Sequence, residues 1–170
     1  MNIRIIIFFS LLFPLMGYSS GWAIVNIDTL ATVEMPSRTM NTSSNPTIKS
    51  YEVNDTSGSY TLADQSWNSK IPKTDAEFSA SDKVTMHGIS SSFGGLSLLS
   101  SNVSVYKGAR CLNLEYKKSG GDAIYYYRSI YIGNHAVIMG FSGGSKDVAK
   151  NKRQRDRYFN SLTFVHPLGK

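Results

Sequence analysis

The sequence predicts an α+β fold, a mostly antiparallel sheet covered by helices on both faces, and three observations carry that prediction. First, Val103 to Phe141 reads as a run of consecutive antiparallel strands, rich in the aromatic and β-branched residues that suit a pleated surface. Its turns are Lys117-Lys118-Ser119-Gly120-Gly121-Asp122 and Gly133-Asn134, the second of a two-residue type that matches the twist of a tight hairpin. Second, the central strands are apolar on both faces. From Ala123 onward one parity holds Tyr125, Tyr127 and Tyr131, and the other holds Ile124, Tyr126, Ile130 and Ile132. A sheet with one face in water would alternate cleanly, so both faces are expected to be covered. Third, the hydrophobic period turns helical twice, once before this meander and once after it.

The chain begins with a short basic stretch, Met1 to Arg4, followed by the apolar run Ile5 to Met16 and the small-residue stretch Gly17 to Ala23. That order is the layout of a secretory signal peptide, assigned to residues 1–21, with one domain over 22–170. The apolar run is too short to span a bilayer comfortably. Small residues allow cleavage after Ser19, Gly21 or Ala23, and no cysteine follows the run to accept a lipid. The expected location is periplasmic or secreted, with no transmembrane span in the mature protein. Cys111 is the only cysteine, so an intramolecular disulfide framework is excluded and the fold must rely on its core. On its strand beside Leu112 it reads as a half-buried small apolar residue. With 18 Lys and Arg against 12 Asp and Glu the formal charge is +6, which falls to +5 when Arg4 is removed.

Along the mature chain, Ala31-Thr-Val-Glu-Met35 is a short strand stopped by Pro36, which cannot donate to a ladder. Ser37 to Asn45 reads as a polar loop. Thr47 to Val53 and Ser59 to Trp67 read as a hairpin around Asn54-Asp-Thr-Ser-Gly58. Thr74-Asp-Ala-Glu77 has the form of a capping box, Ser81-Asp82 offers a second start, and Met86, Ile89 and Phe93 recur at helical spacing before Gly94-Gly95. One helix is therefore expected within 75–93. Val103–Tyr106 and Arg110–Tyr116 follow as strands, the latter with Leu112, Leu114 and Tyr116 on one face and Asn113 and Glu115 on the other, as expected near an edge. After Phe141 a Ser-Gly-Gly turn leads to Ser145 as N-cap and a helix to about Asn160. Its apolar face is thin, with Val148 at one end and Tyr158, Phe159 and Leu162 at the other. Leu162-Thr-Phe164 returns as a short last strand.

This order, with Val33-Glu-Met-Pro-Ser37 opening the domain, Phe93-Gly-Gly-Leu96 after the first helix, Lys107-Gly-Ala-Arg110 entering the second half and Tyr158-Phe-Asn-Ser-Leu-Thr-Phe164 closing it, resembles a known group. It is similar to small secreted PsbP-like bacterial proteins, relatives of the DcrB proteins and of the Ran-binding Mog family. Ser37 stands where those proteins have glycine, and the Lys107–Arg110 turn lacks their second glycine. The resemblance implies an α/β/α sandwich and implies little about activity, because proteins of this fold are binding and assembly proteins with unrelated partners.

No catalytic, cofactor or metal set is read from the residues. His87, His135 and His166 fall on a helix, a strand start and the tail with nothing pairing them, and no His-Glu-x-x-His, Cys pair or Asp-rich loop is present. No Gly-x-Ser-x-Gly elbow surrounds any serine. Gly140-Phe-Ser-Gly-Gly-Ser-Lys146 is a turn and cap rather than a phosphate loop. Arg128, alone among apolar neighbours, is expected to pair with a carboxylate such as Glu115. The remaining candidate is the basic helix, on which Lys146, Lys150, Arg153 and Arg157 form the expected partner-binding set. Nucleic acid is not the expected partner, since consecutive tyrosines on a strand alternate faces and cannot form one stacking platform. The expectation is an exported, non-enzymatic binding or accessory protein of the bacterial cell envelope, acting through protein–protein contact. The alternatives are a periplasmic immunity or inhibitor protein against an exported toxin or hydrolase, and a small envelope hydrolase.

Overall fold

The computed structural model describes residues 21–45, 48–66, 72–92, 95–143 and 147–165. The segment read as a signal peptide, residues 1–21, lies outside them except for its last residue, Gly21, as do Trp67, Phe93, Ser145, Lys146 and His166. The described elements are, in order, β1 (Trp22–Ile27), β2 (Ala31–Pro36), β3 (Asn41–Ser44), β4 (Ile48–Asn54), β5 (Gly58–Ser66), α1 (Asp75–Ser92), β6 (Leu96–Tyr106), β7 (Ala109–Lys118), β8 (Ile124–Ile132), β9 (His135–Gly143), α2 (Val148–Asn160) and β10 (Thr163–Phe164).

Two antiparallel sheets result. The larger has seven strands in the order β3-β4-β5-β9-β8-β7-β6, and the smaller has three in the order β1-β2-β10. The tight turns explain the meander. Lys107 and Gly108 both adopt positive φ, 48° and 86°, between β6 and β7, and Gly133, at 55°, leads the Gly133-Asn134 turn between β8 and β9. α1 starts at the capping box: Thr74 Oγ1 accepts from the Glu77 N–H at 3.2 Å, and Glu77 Oε2 accepts from the Thr74 N–H at 3.1 Å.

The core divides according to strand parity. One cluster holds Tyr60 and Leu62 of β5, Ile130 and Ile132 of β8, Val137, Met139 and Phe141 of β9, the inward residues of β1 and β2, and Tyr158, Phe159 and Leu162. The other holds Leu112, Leu114 and Tyr116 of β7, Tyr127 of β8 and Ile89 of α1, with Met86 and Tyr125 against it. Among the described residues no helix is long and apolar enough to cross a membrane.

Several sequence expectations are corrected. Asn41–Ser44 is a strand, not loop. Exposed on both sides, it carries no apolar alternation and is held by its ladder to β4 and by the Ser43–Ser50 hydroxyl contact at 2.7 Å. Trp22–Ile27, partly read as the tail of the leader, is a strand paired with β2 from Trp22↔Pro36 to Ile27↔Ala31. β6 begins at Leu96 rather than Val103. Ser81 and Asp82 do not start a helix; they are buried in the middle of α1. Cys111 is fully buried, 1 % exposed, and burial pushes its thiol up.

Four rings meet where β1, β5, β9 and α2 converge: Tyr60 packs edge-on against Trp22, Phe141 and Tyr158 at centroid distances of 5.5, 5.2 and 5.4 Å. The Tyr60 hydroxyl is buried there with no hydrogen-bond partner among the described residues, and burial drives its phenol well above the ordinary value. A buried hydroxyl without a partner carries a desolvation cost. Tyr60→Phe is therefore expected to raise stability, by about 1 kcal/mol. Urea unfolding of the two proteins checks this; a destabilised Phe variant would contradict the assignment.

Candidate functional site

α2 is the element on which the sequence placed its partner-binding residues. Asp147, not Ser145, is its N-cap, with φ −78°, ψ 103° and a side chain that accepts from the Lys150 N–H at 3.0 Å. The carboxylate also sits at the positive end of the helix dipole. The helix ends at Ser161, whose N–H donates to the carbonyls of Arg157 and Tyr158, and whose Oγ accepts from the Glu34 N–H at 3.0 Å. Tyr158 and Phe159 are buried, and the Tyr158 hydroxyl donates to the Thr61 carbonyl. The C-terminal half of α2 is thus bolted to the large sheet. Val148, expected to anchor the other end, is instead 80 % exposed.

The cations of α2 fall into two groups. Arg155 lies over the Tyr126 ring, 4.4 Å from its centroid, and donates to Asp156 Oδ1 at 3.0 Å, while Lys152 reaches the other oxygen of the same carboxylate. Arg157 lies over Trp22 at 4.2 Å and reaches Glu34 at 3.2 Å. These side chains have partners within the fold. Lys150 and Arg153 form no ion pair among the described residues, and Arg153 is exposed. Lys150, Arg153 and Arg157 are spaced three and four apart, so they share one stripe of the helix. Of the expected set, then, Lys150 and Arg153 are open to a partner, Arg157 is engaged with β1 and β2, and Lys146 lies outside the described residues.

On the opposite side of α2 from this stripe, a cleft of about 600 Å³ opens between the helix and the ends of β8 and β9, lined among others by Ile124, Tyr126, Val148, Asn151, Lys152 and Arg155. Its walls combine apolar side chains with a cationic rim. Gly143 forms part of the floor because an added Cβ would fall 2.3 Å from Asn151 Cγ.

Three polar clusters lie elsewhere. Arg128 pairs with no carboxylate among the described residues. It donates to Asn113 Oδ1 at 3.0 Å and to the Phe159 carbonyl at 3.1 Å, and lies over the Phe159 and Tyr106 rings. Register explains the correction, since Arg128 stands opposite Asn113 whereas Glu115 stands opposite Tyr126. Arg110 makes a two-point contact with Asp82 at 3.0 and 2.7 Å, and the Tyr131 hydroxyl donates to the same carboxylate at 2.9 Å. His135, read as unpaired, has Nδ1 at 2.8 Å from the buried Asp64, tying β9 to β5. A residue that opens a hairpin strand and another 71 positions away give no sequence signal of such a pair.

Two carboxyl groups of α2 titrate with a predictable sign. Asp147 is held below the ordinary carboxylate value, chiefly by the Lys150 N–H. Burial raises Asp156, but hydrogen bonds from Lys152 and Arg155 outweigh this and also leave it lowered. A depressed folded-state value means stabilisation that is complete above the unfolded value, near pH 4, and is lost as pH falls through the folded one. Asp147→Asn/Asp156→Asn should therefore lose less stability than the parent between about pH 5 and pH 2, read by thermal melting across that range. An identical acid profile would contradict the role of these caps and pairs.

No protein-family model matches the sequence, and no curated protein matches it. Solved structures do match. The solution structure of cyanobacterial PsbP from Synechocystis sp. PCC 6803 aligns with TM-score 0.62 and 13 % identity, covering 85 % of this chain and 93 % of that one. A Pseudomonas aeruginosa protein of unknown function aligns with TM-score 0.49 and 14 % identity, covering 88 % of this chain and 99 % of that one. The class is thus an α+β domain built on a large antiparallel sheet. More narrowly, its fold is PsbP-like.

Proposed function

We propose that the protein is an exported, non-enzymatic binding or accessory protein of the bacterial cell envelope, and that it holds an acidic partner protein on the Lys150–Arg153 stripe of α2. The observation that carries this reading is the division of the α2 cations: Arg155, Arg157 and Lys152 are held by rings or ion-paired carboxylates of the fold, whereas Lys150 and Arg153 form no ion pair or ring contact among the described residues and feel only the longer-range charge of the Asp147 cap. Like charges at this spacing weaken a helix rather than build it, so two cations without an ion pair on a helix whose other cations are paired favour an external counter-charge.

The reading includes a PsbP-type α/β/α sandwich. It is supported by the parity of β8, which sends Tyr131 to Asp82 and Phe78 of α1 and Tyr126 and Arg128 to Arg155 and Phe159 of α2. It includes export, which rests on the basic, apolar and small-residue order of Met1 to Ala23. A binding rather than a catalytic role is favoured by the polar clusters, because Asp82 is held by Arg110, Asp64 by His135 and Arg128 by Asn113, each between elements of the fold. The test is a photo-crosslinking residue placed at Arg153, with the exposed Glu52 on β4 as control, in cells expressing the full chain. Capture of one envelope protein from position 153 alone is expected, together with an N-terminus trimmed after Ser19, Gly21 or Ala23. Equal capture from both positions, or an untrimmed chain in the cytoplasm, would overturn the reading.

A further inference from the structure

β6 closes one end of the seven-stranded sheet, and its outer side has no partner strand among the described residues. Edges are usually protected by brevity, charge or proline. The opposite edge, β3, is four residues long. β6 is eleven residues long, Leu-Ser-Leu-Leu-Ser-Ser-Asn-Val-Ser-Val-Tyr, with no charge and no proline. Leu98, Leu99, Val103 and Val105 are 44, 54, 51 and 75 % exposed along it. This edge is built to be paired, and what it pairs with can be read from its own pattern.

The register with β7 passes from Leu98↔Tyr116 directly to Ser100↔Glu115, so Leu99 is the extra residue of a bulge. With Leu99 set aside, the pleat is symmetric about Ser101. Leu98 and Val103 stand at equal steps from it on the face of Leu114 and Tyr116, as do Leu96 and Val105, while Ser97 and Ser104 stand at equal steps on the other face. Opposite residues in an antiparallel pair share a face, and matched side chains there are the unit of sheet stabilisation. A strand of unrelated sequence would require no such self-symmetry. Charge points the same way. A chain of formal charge +6 repels its own copy, and β6 is a stretch where two copies meet without opposing any like charges.

We propose that β6 is a homodimer interface: a second copy of this chain adds antiparallel to β6 about a two-fold axis at Ser101, joining the two large sheets into one. Leu98 then faces Val103 of the second copy, Leu96 faces Val105, Ser97 faces Ser104 and Ser100 faces Asn102. The contact is isologous and closes at two. It is separate from the α2 stripe and stands whatever α2 binds.

The test is sedimentation velocity of the full chain over a concentration series, with Ser101→Lys and Ser101→Glu. Ser101 is exposed, and each substitution sets a like charge against its own copy at the axis. The parent is expected to reach twice the mass of the chain, each variant alone to associate roughly tenfold or more weakly, and an equal mixture of the two to recover the dimer. Circular dichroism identifies a variant that fails to fold, and Val105→Lys at the exposed end then replaces it. A parent that stays monomeric, variants that dimerise like the parent, or folded variants whose mixture associates no better than either alone would each overturn the proposal. Lys150→Glu/Arg153→Glu should leave the dimer unchanged.

Discussion

Replacing Tyr158 by alanine is expected to cost the fold about 3–5 kcal/mol, the range for deleting a fully buried aromatic side chain. The ring is 0 % exposed, packs edge-on against Tyr60 at 5.4 Å and lies tilted against Phe159 at 5.6 Å. Its hydroxyl donates to the Thr61 carbonyl on β5. The conservative change separates these contributions: Tyr158→Phe keeps the packing and loses one hydrogen bond, so it should cost about 1 kcal/mol, rising toward 2 if the Thr61 carbonyl is left dry. Because α2 holds the rest of its length by caps and surface pairs, Tyr158→Ala should also loosen the helix before the sheet unfolds. Denaturant unfolding together with hydrogen exchange on α2 reads both effects. An alanine variant within 1 kcal/mol of the parent would mean that α2 is not anchored as described.

The second large effect is expected at Arg110. Its guanidinium joins β7 to α1 through Asp82, lying over the Phe78 ring at 4.7 Å while Asp82 also accepts from Tyr131. Arg110→Ala leaves a carboxylate that is only 5 % exposed with a single neutral donor near it. Removing one member of a buried pair costs about 3–5 kcal/mol, and the lower end applies because the Arg110 side chain keeps 21 % of its surface in water. Removing both charges is a different matter, since the desolvation cost vanishes with them. Arg110→Met/Asp82→Leu should recover most of the loss. A double variant as unstable as the single one would show that the pair holds α1 in place by geometry that apolar packing cannot supply.

How much of this was legible in the sequence varied with the range of the interactions. The Gly133-Asn134 turn, the Thr74–Glu77 capping box and the two-sided burial of β8 are written in neighbouring residues, and they place the meander and α1 correctly. β3 escaped because a strand exposed on both sides has no apolar period, and β1 because its small and apolar residues continue those of the leader. Ser81-Asp82 looks like a helix start, yet Asp82 is buried because Arg110, 28 positions later, lies across from it. The stripe of Lys150, Arg153 and Arg157 follows from helical spacing alone. Which of its members are already satisfied does not, because the contact of Arg157 with Glu34 joins residues 123 positions apart and depends on the docking of β1 and β2.

The division of the α2 cations is the centre of this account, and one comparison tests it directly. The affinity of the full chain for the partner captured at position 153 is measured for the parent and for Lys150→Glu/Arg153→Glu, with Lys73→Glu/Lys83→Glu, at two exposed positions before and on α1, as a charge-matched control. The prediction is a loss of roughly tenfold or more for the α2 variant, an unchanged melting temperature, and little change for the control. Equal binding by a folded α2 variant would contradict the account and move the interface away from α2.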